Sequence, residues 1–394
     1  MSIFPKEFSS TDPGALVLSG TAASLSTLLK TYLADGRGLG AVQSISVSNG
    51  IATASYASGH PFTAGHVGLF DGAALEAING EHRILSTGIN FATFAVPDVP
   101  DGPVTGSITS KLAAAGWMQM FSVTSPAGVL VIKSRSIEGS GCFLRIDDSG
   151  TTTARVVGYG SMSDASVGSG AFPTDAQQAG GLYWPKSDAA NSTARAWRLF
   201  ADERFFMLWV SPASSNRQMG PLFGFGDIIA DGFDQYGCTI FGSTVSNVVS
   251  DGAVSPGCLG LGNGPGAGGS GMFMPRSYTG VGGSVAARKV GAYNTAIAYS
   301  GTSSYSSLSI PYPNAADNSL RFSRVEIIVP PSGFRGVVPG LYHTPQEAGA
   351  FFKTGDLISG TGVFAGRDYR VIGVGPAPGN ILGCAFVDLT SWDR

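Results

Sequence analysis

Apolar residues recur at every second position in short runs along most of this chain, and turn dipeptides cut the runs apart. Between Ala41 and Leu112 the runs VQSISVS, IATASYAS, HVGLF, EHRILSTG, NFATFAV and TGSITSKL are separated by Asn49-Gly50, Asp71-Gly72 and Asp101-Gly102. A period of two sends alternate side chains to opposite faces of a strand, and Asn-Gly or Asp-Gly supplies the left-handed backbone of tight hairpins. Five or six such strands in about 70 residues predict a small barrel or sandwich, with one helical turn at AALEAI. After Trp117 the pattern resumes in CFLRIDD, ARVVGYGSM, ARAWRLFAD, RFFMLWVS and PLFGFGDII, with turns expected at Asp147-Asp148-Ser149-Gly150 and Ala201-Asp202-Glu203. From Leu320 onward, RFSRVEIIVP, GVVPGLYH, DYRVIGVG and NILGCAFVDL predict a further antiparallel sheet.

Helical spacing occurs once. Leu25, Leu28, Leu29, Tyr32 and Leu33 share one face within the segment from Leu18 to Gly36. Ser19 or Thr21 is suited to cap its start and Gly36 to end it. The expected fold is mainly β: antiparallel sandwich or barrel domains, one short N-terminal helix and an inserted small β-domain. We divide the chain into a discontinuous main β-domain at 1–40 plus 113–319, an inserted domain at 41–112, and a C-terminal β-sheet region at 320–394.

Charge is scarce. Only 13% of residues are charged, against about 25% in an ordinary soluble domain, while 57 of 394 are glycine. Lys plus Arg is 24 and Asp plus Glu 27, a net charge of -3, which argues against a basic groove for nucleic acid or anionic membrane. Apolar runs such as Val325–Val329 fall far short of the ~18 residues that span a bilayer, and the N-terminus shows no Sec export signal. Cys142, Cys238, Cys258 and Cys384 lack the C-x-x-C spacing of zinc or redox sites and read as buried thiols, with a Cys238–Cys258 bridge left open.

The residues that carry chemistry elsewhere are dispersed here. There is no G-x-S-x-G, and the histidines are His60, His66, His82 and His343; two of the first three would have to meet Glu81 to hold a metal. Asp147, Asp148, Asp202, Glu203, Asp227, Asp231 and Asp234 are candidate carboxylates for glycan hydrolysis, yet each lies at a strand end or turn where Asp bonds local backbone. Asp227, Asp231 and Asp234 lack the spacing of a calcium loop. Gly264, Gly266 and Gly269 match G-x-G-x-x-G only as part of the glycine tract Ser250–Gly271, which reads as an extended loop. Asn191-Ser192-Thr193 matches a glycosylation sequon, with no secretory context to use it. Aromatic residues are dense from Tyr183 to Trp209; Tyr183, Trp184 and Trp197 are the candidate glycan or partner contacts, although in alternating text such residues more often fill a sheet core.

Eight colinear segments resemble a family of virion structural proteins of tailed bacteriophages that infect Gram-negative hosts. They are Ser9–Leu29 (SSTDPGALVLSGTAASLSTLL), Ala114–Trp117 (AAGW), Cys142–Asp164 (CFLRIDDSGTTTARVVGYGSMSD), Phe172–Ser187 (FPTDAQQAGGLYWPKS), Thr193–Leu208 (TARAWRLFADERFFML), Phe223–Asp227 (FGFGD), Arg276–Val285 (RSYTGVGGSV) and Phe334–His343 (FRGVVPGLYH). The resemblance implies a tail tip or baseplate component without cofactor, metal or catalytic residues, in which 41–112 is an insertion. It further implies a late protein, assembled in the host cytoplasm into the phage particle as a ring of identical subunits, a trimer or hexamer, in contact with neighbouring tail or baseplate proteins. Capsid decoration, a head-to-tail connector and a host-surface glycan-binding tail protein are the alternatives, and a virion-borne depolymerase is the enzymatic one.

Overall fold

The computed structural model describes residues 4–123, 125, 127–215, 218–246, 270–290, 312–330, 333–344, 346, 348–349, 351–374 and 384–393. Of the glycine tract only Ser270 and Gly271 are described, and they begin a strand; Cys258, and with it the Cys238–Cys258 bridge, lies outside the described residues. The protein is mainly β, with one α-helix and antiparallel sheets.

The helix is shorter than its apolar stripe. Ser24–Leu29 is α-helical, Lys30–Asp35 continues as a π-helical turn, and Gly36, at φ 76°, ends it. The predicted face is buried in full, from Leu25 to Leu33. The cap, however, is not local: Ser19 and Thr21 bond each other instead, and Ala23 at the N-cap has no acceptor to offer. Asp148 supplies it, its carboxylate accepting the N–H groups of Leu25 at 2.7 Å and Ser26 at 3.0 Å. The other oxygen of Asp148 meets the ammonium of Lys186, which also donates to the Thr21 carbonyl at 2.7 Å. Both side chains are fully buried, and burial pushes the Asp148 carboxyl up and the Lys186 ammonium down from their ordinary pKa values while their contact opposes both shifts. So short a helix has little stability of its own; packing and this distant carboxylate hold it.

Residues 37–112 close into a barrel. Arg37–Ala41 and Ser44–Ser48 are halves of one bent strand, as are Gly102–Val104 and Gly106–Leu112, and these two bent strands pair antiparallel along both halves. From Gly106–Leu112 the pairing passes to Val67–Ala73, Gly80–Gly88, Phe91–Ala95 and Ile51–Ser55, and returns to Ser44–Ser48. Arg37–Ala41 and Gly102–Val104 are each paired along one side only. Asn49 (φ 51°) and Gly50 (φ 73°) form the expected two-residue hairpin turn between the paired Ser48 and Ile51. Asp71-Gly72 does not turn the chain; it makes a bulge within Val67–Ala73, where Gly72 takes φ 86° and a Cβ would stand 2.4 Å from the Ser107 carbonyl oxygen. Asp101 precedes a strand, and its carboxylate accepts the Asn49 N–H at 2.8 Å.

Most of the remaining described strands stack as three layers. Trp117–Val123, Val129–Ser134, Phe143–Asp147, Thr153–Tyr159 and Leu182–Pro185 form one. Lys6–Ser9, Ala196–Ala201, Phe205–Ser211, Leu222–Asp227, Cys238–Ser243 and Ser270–Met274 form the middle. The third contains Ser323–Val329, Gly333–His343, Asp368–Gly373 and Cys384–Asp388. Alternation along Phe205–Ser211 sends Phe206, Leu208 and Val210 into the core shared with the first layer, and Phe205, Met207 and Trp209 into the core shared with the third. The first core is continuous with the barrel interior. Residue 320 marks no break in hydrogen bonding, because Val285–Val290 pairs with both Ser270–Met274 and Ser323–Val329.

Candidate functional site

All five tryptophans of the chain are buried, with exposures of 4% or less. Each indole N–H donates to a backbone carbonyl: Trp117 to Asp202, Trp184 to Phe241, Trp197 to Leu16, Trp209 to Gly373 and Trp392 to Asp388. The reading of Trp184 and Trp197 as surface contacts is therefore corrected: neither presents a face to a sugar or a partner; Trp184 pins the first layer to the middle one, and Trp197 pins the segment before the helix to the middle layer. Tyr183 is half-buried with the Arg155 guanidinium 3.7 Å from its ring centre, so one face is already occupied.

Most of the candidate carboxylates are engaged within the fold. Asp147 accepts from Arg145 and Ser149, and Asp202 organises its turn by accepting the N–H groups of Arg204 and Phe205. Asp227 and Asp234 border an open cleft of about 510 Å³ with Glu138, Ser140 and Arg204. Asp227 accepts the Ser140 N–H at 2.9 Å, the Ser140 hydroxyl at 2.5 Å and Arg204 Nε at 3.3 Å. Asp234 is buried and clasped by Arg335 through bonds of 2.7 and 3.0 Å. Asp147, Asp227 and Asp234 each meet an arginine side chain and Asp202 meets backbone N–H groups, an arrangement that fixes turns and loops and does not resemble an acid and base poised across a glycosidic bond.

The histidines are similarly committed. His60 bridges the carbonyls of Gly88 and Phe91 through Nε2 and accepts the Phe62 N–H through Nδ1. His66 accepts the Thr63 N–H through Nδ1 and faces Asp12 at 3.3 Å through Nε2. His82 donates to the Ile78 carbonyl and packs against Phe94, burial lowering its pKa. Among the described residues no group of three or more His, Cys, Asp or Glu could hold a metal ion.

Two features escaped the sequence. A second cleft, of about 480 Å³, opens where the N-terminal strand, the barrel and the third layer meet. In its wall Glu7 accepts from Arg198 at 2.6 Å and from Arg370 at 2.9 Å, tying three parts of the body together, while Arg83 of the barrel donates to the Leu389 carbonyl. These partners are separated by 191 to 363 positions, so no local pattern reveals them.

The second feature is a platform of loops built on Arg335. Besides clasping Asp234, this buried guanidinium donates to the carbonyls of Arg276 at 3.0 Å and Tyr236 at 3.2 Å. The loops it joins carry Phe233, 87% exposed, Val281, 75%, and Tyr278, 54%, and its own strand, Gly333–His343, carries Phe334, 59%. Ile137, fully exposed, lies beside Glu138 at the lip of the first cleft. Scattered apolar side chains on a surface need no explanation, but several on loops fixed by one buried charge form a prepared surface. No family model, curated protein or solved structure matches the chain.

Proposed function

We propose that this chain is a structural subunit of a tailed bacteriophage particle, at the tail tip or baseplate, and that it assembles with copies of itself and with neighbouring tail proteins into a ring. The observation that carries this reading is the Arg335 platform. Phe233, Val281 and Tyr278 stand in water on loops tied to Arg335, and Phe334 on the strand that carries Arg335, so burying them against another subunit costs little ordering entropy. A chain with 13% charged residues suits the same role, since little charge must be desolvated at contacts. The colinear resemblance to phage structural proteins supports it independently. In this reading the chain performs no reaction, and its clefts are joints between parts of the subunit. Among the described residues no helix is long and apolar enough to cross a membrane.

The test is cryo-electron microscopy of the particle, with copies of this chain counted in each ring. Copies at the tail tip or baseplate support the reading, copies on the capsid or neck make it a decoration or connector protein, and their absence from purified particles overturns it. In solution, Phe233→Ser combined with Phe334→Ser is expected to shift an oligomer toward monomer in sedimentation velocity without changing the melting temperature. An unchanged oligomer would remove the platform from the interface.

A further inference from the structure

Cys142 and Cys238 are far apart in sequence and on different layers of the body. Cys142 immediately precedes the first-layer strand Phe143–Asp147, and Cys238 begins the middle-layer strand Cys238–Ser243. Both belong to the core between those layers, as free, buried thiols that perturb each other's ionisation. Their approach is fixed by a neighbouring contact. Ser140 donates its N–H and hydroxyl to Asp227, Cys142 donates its N–H to Ser140 Oγ at 3.4 Å, and Asp227 stands opposite Cys238 in the strand register. The Ser140–Asp227 contact therefore holds both thiols from one side. It also lies in the wall of the open 510 Å³ cleft, where Ser140 stands two residues before Cys142.

We propose that Cys142 and Cys238 are an oxidative modification site, at which a peroxide converts the two thiols into a disulfide stapling the first layer of the body to the middle layer. Cys142 reacts first. It is 9% exposed against 1% for Cys238. Its pKa is drawn down by the neighbouring Cys238 thiol, whereas burial, followed by the neighbouring Cys142 thiol, pushes Cys238 up. The Cys142 thiolate attacks one peroxide oxygen, the O–O bond breaks, and the departing hydroxide leaves as water, giving a sulfenic acid. The Cys238 sulfur then attacks the Cys142 sulfur. The S–S bond forms as the S–O bond breaks, and the hydroxide leaves with the Cys238 proton as a second water. One hydrogen peroxide and two thiols thus become one disulfide and two waters. The inference does not depend on the function proposed above.

The sequence provides a clean readout. Trypsin releases Cys142 on the fragment Ser136–Arg145, whereas Cys238 and Cys258 share one fragment between Arg217 and Arg276. The full folded chain is treated with hydrogen peroxide, its remaining thiols are blocked under denaturing conditions, and the digest is analysed by mass spectrometry. We expect a linked pair containing Cys142 and Cys238 that dithiothreitol separates, and a melting temperature raised by on the order of 5 °C in the oxidised protein. The link is expected to vanish in Cys142→Ser and to persist in Cys384→Ser, whose target thiol burial pushes up to about 12. Recovery of four blocked thiols, or of a bridge confined to the Cys238–Cys258 fragment, would overturn the proposal.

Discussion

In the barrel strand Ser44–Ser48 buried and exposed side chains alternate, whereas in the body strand Phe205–Ser211 every side chain is buried. Both are antiparallel strands with the same two-residue repeat. They differ in what lies outside: solvent covers one face of the barrel strand, and a second core covers the outer face of the body strand. Burial on both faces erases polar alternation from a sequence without changing the geometry beneath it. The interiors differ as well, because the body encloses the Asp148–Lys186 pair while the barrel encloses aromatic rings and His82.

That contrast can be broken at several points. The largest effect belongs to the body's buried charge: Asp148→Ala strands Lys186 and uncaps the helix, and is expected to cost about 3–5 kcal/mol in urea denaturation. A loss under 1 kcal/mol would mean that water reaches the pair. Next comes the two-sided strand. Met207→Ala and Leu208→Ala should each cost about 2–5 kcal/mol, whereas in the barrel Ile45→Ala should cost a similar amount and Ser46→Ala no more than about 0.5 kcal/mol. If either Met207 or Leu208 proves silent, one of the two cores is not packed as described. A smaller effect is expected at the bulge, where Gly72→Ala forces a Cβ against the Ser107 carbonyl at positive φ and should cost roughly 1–3 kcal/mol. Equal stability of that variant would show that the bulge relaxes freely.

The smallest effect is a pH dependence confined to the barrel. Burial depresses the His82 pKa, its bond to the Ile78 carbonyl opposing only in part, so the folded state binds fewer protons there than the unfolded chain. The resulting stability is present above the unfolded value of about 6.5 and is lost as pH falls through the folded value. Melting temperature should therefore fall between pH 7.5 and pH 5, and His82→Phe should flatten that fall. An identical fall in the variant would assign it to other groups.

Much of the fold was readable because local physics writes it locally. The helical face from Leu25 to Leu33, the Asn49-Gly50 hairpin and the turns after Asp147 and Ala201 stand where the pattern places them. Asp71-Gly72 misled because the left-handed glycine that a hairpin needs also serves a bulge. The candidate sites were much less readable. The dense aromatics around Trp197 look the same in sequence whether they line a binding shelf or a core, and only the packing of layers against both faces of the middle sheet separates the two. The helix cap was misassigned to nearby hydroxyls because a side chain more than 120 positions away cannot be weighed from local text.

The chain's own pattern of alternation, turn residues and one apolar helical face determined that this protein is mainly β and where most of its strands begin and end. Those properties arise from backbone sterics and from which side of a strand meets water, and both act over a few residues. Tertiary structure alone decided which distant groups meet: Asp148 under the helix, Glu7 between Arg198 and Arg370, and Arg335 at the centre of its loops. Such contacts are fixed by how layers stack and register, and by the cost of leaving a buried charge unpaired, which no short stretch of sequence records.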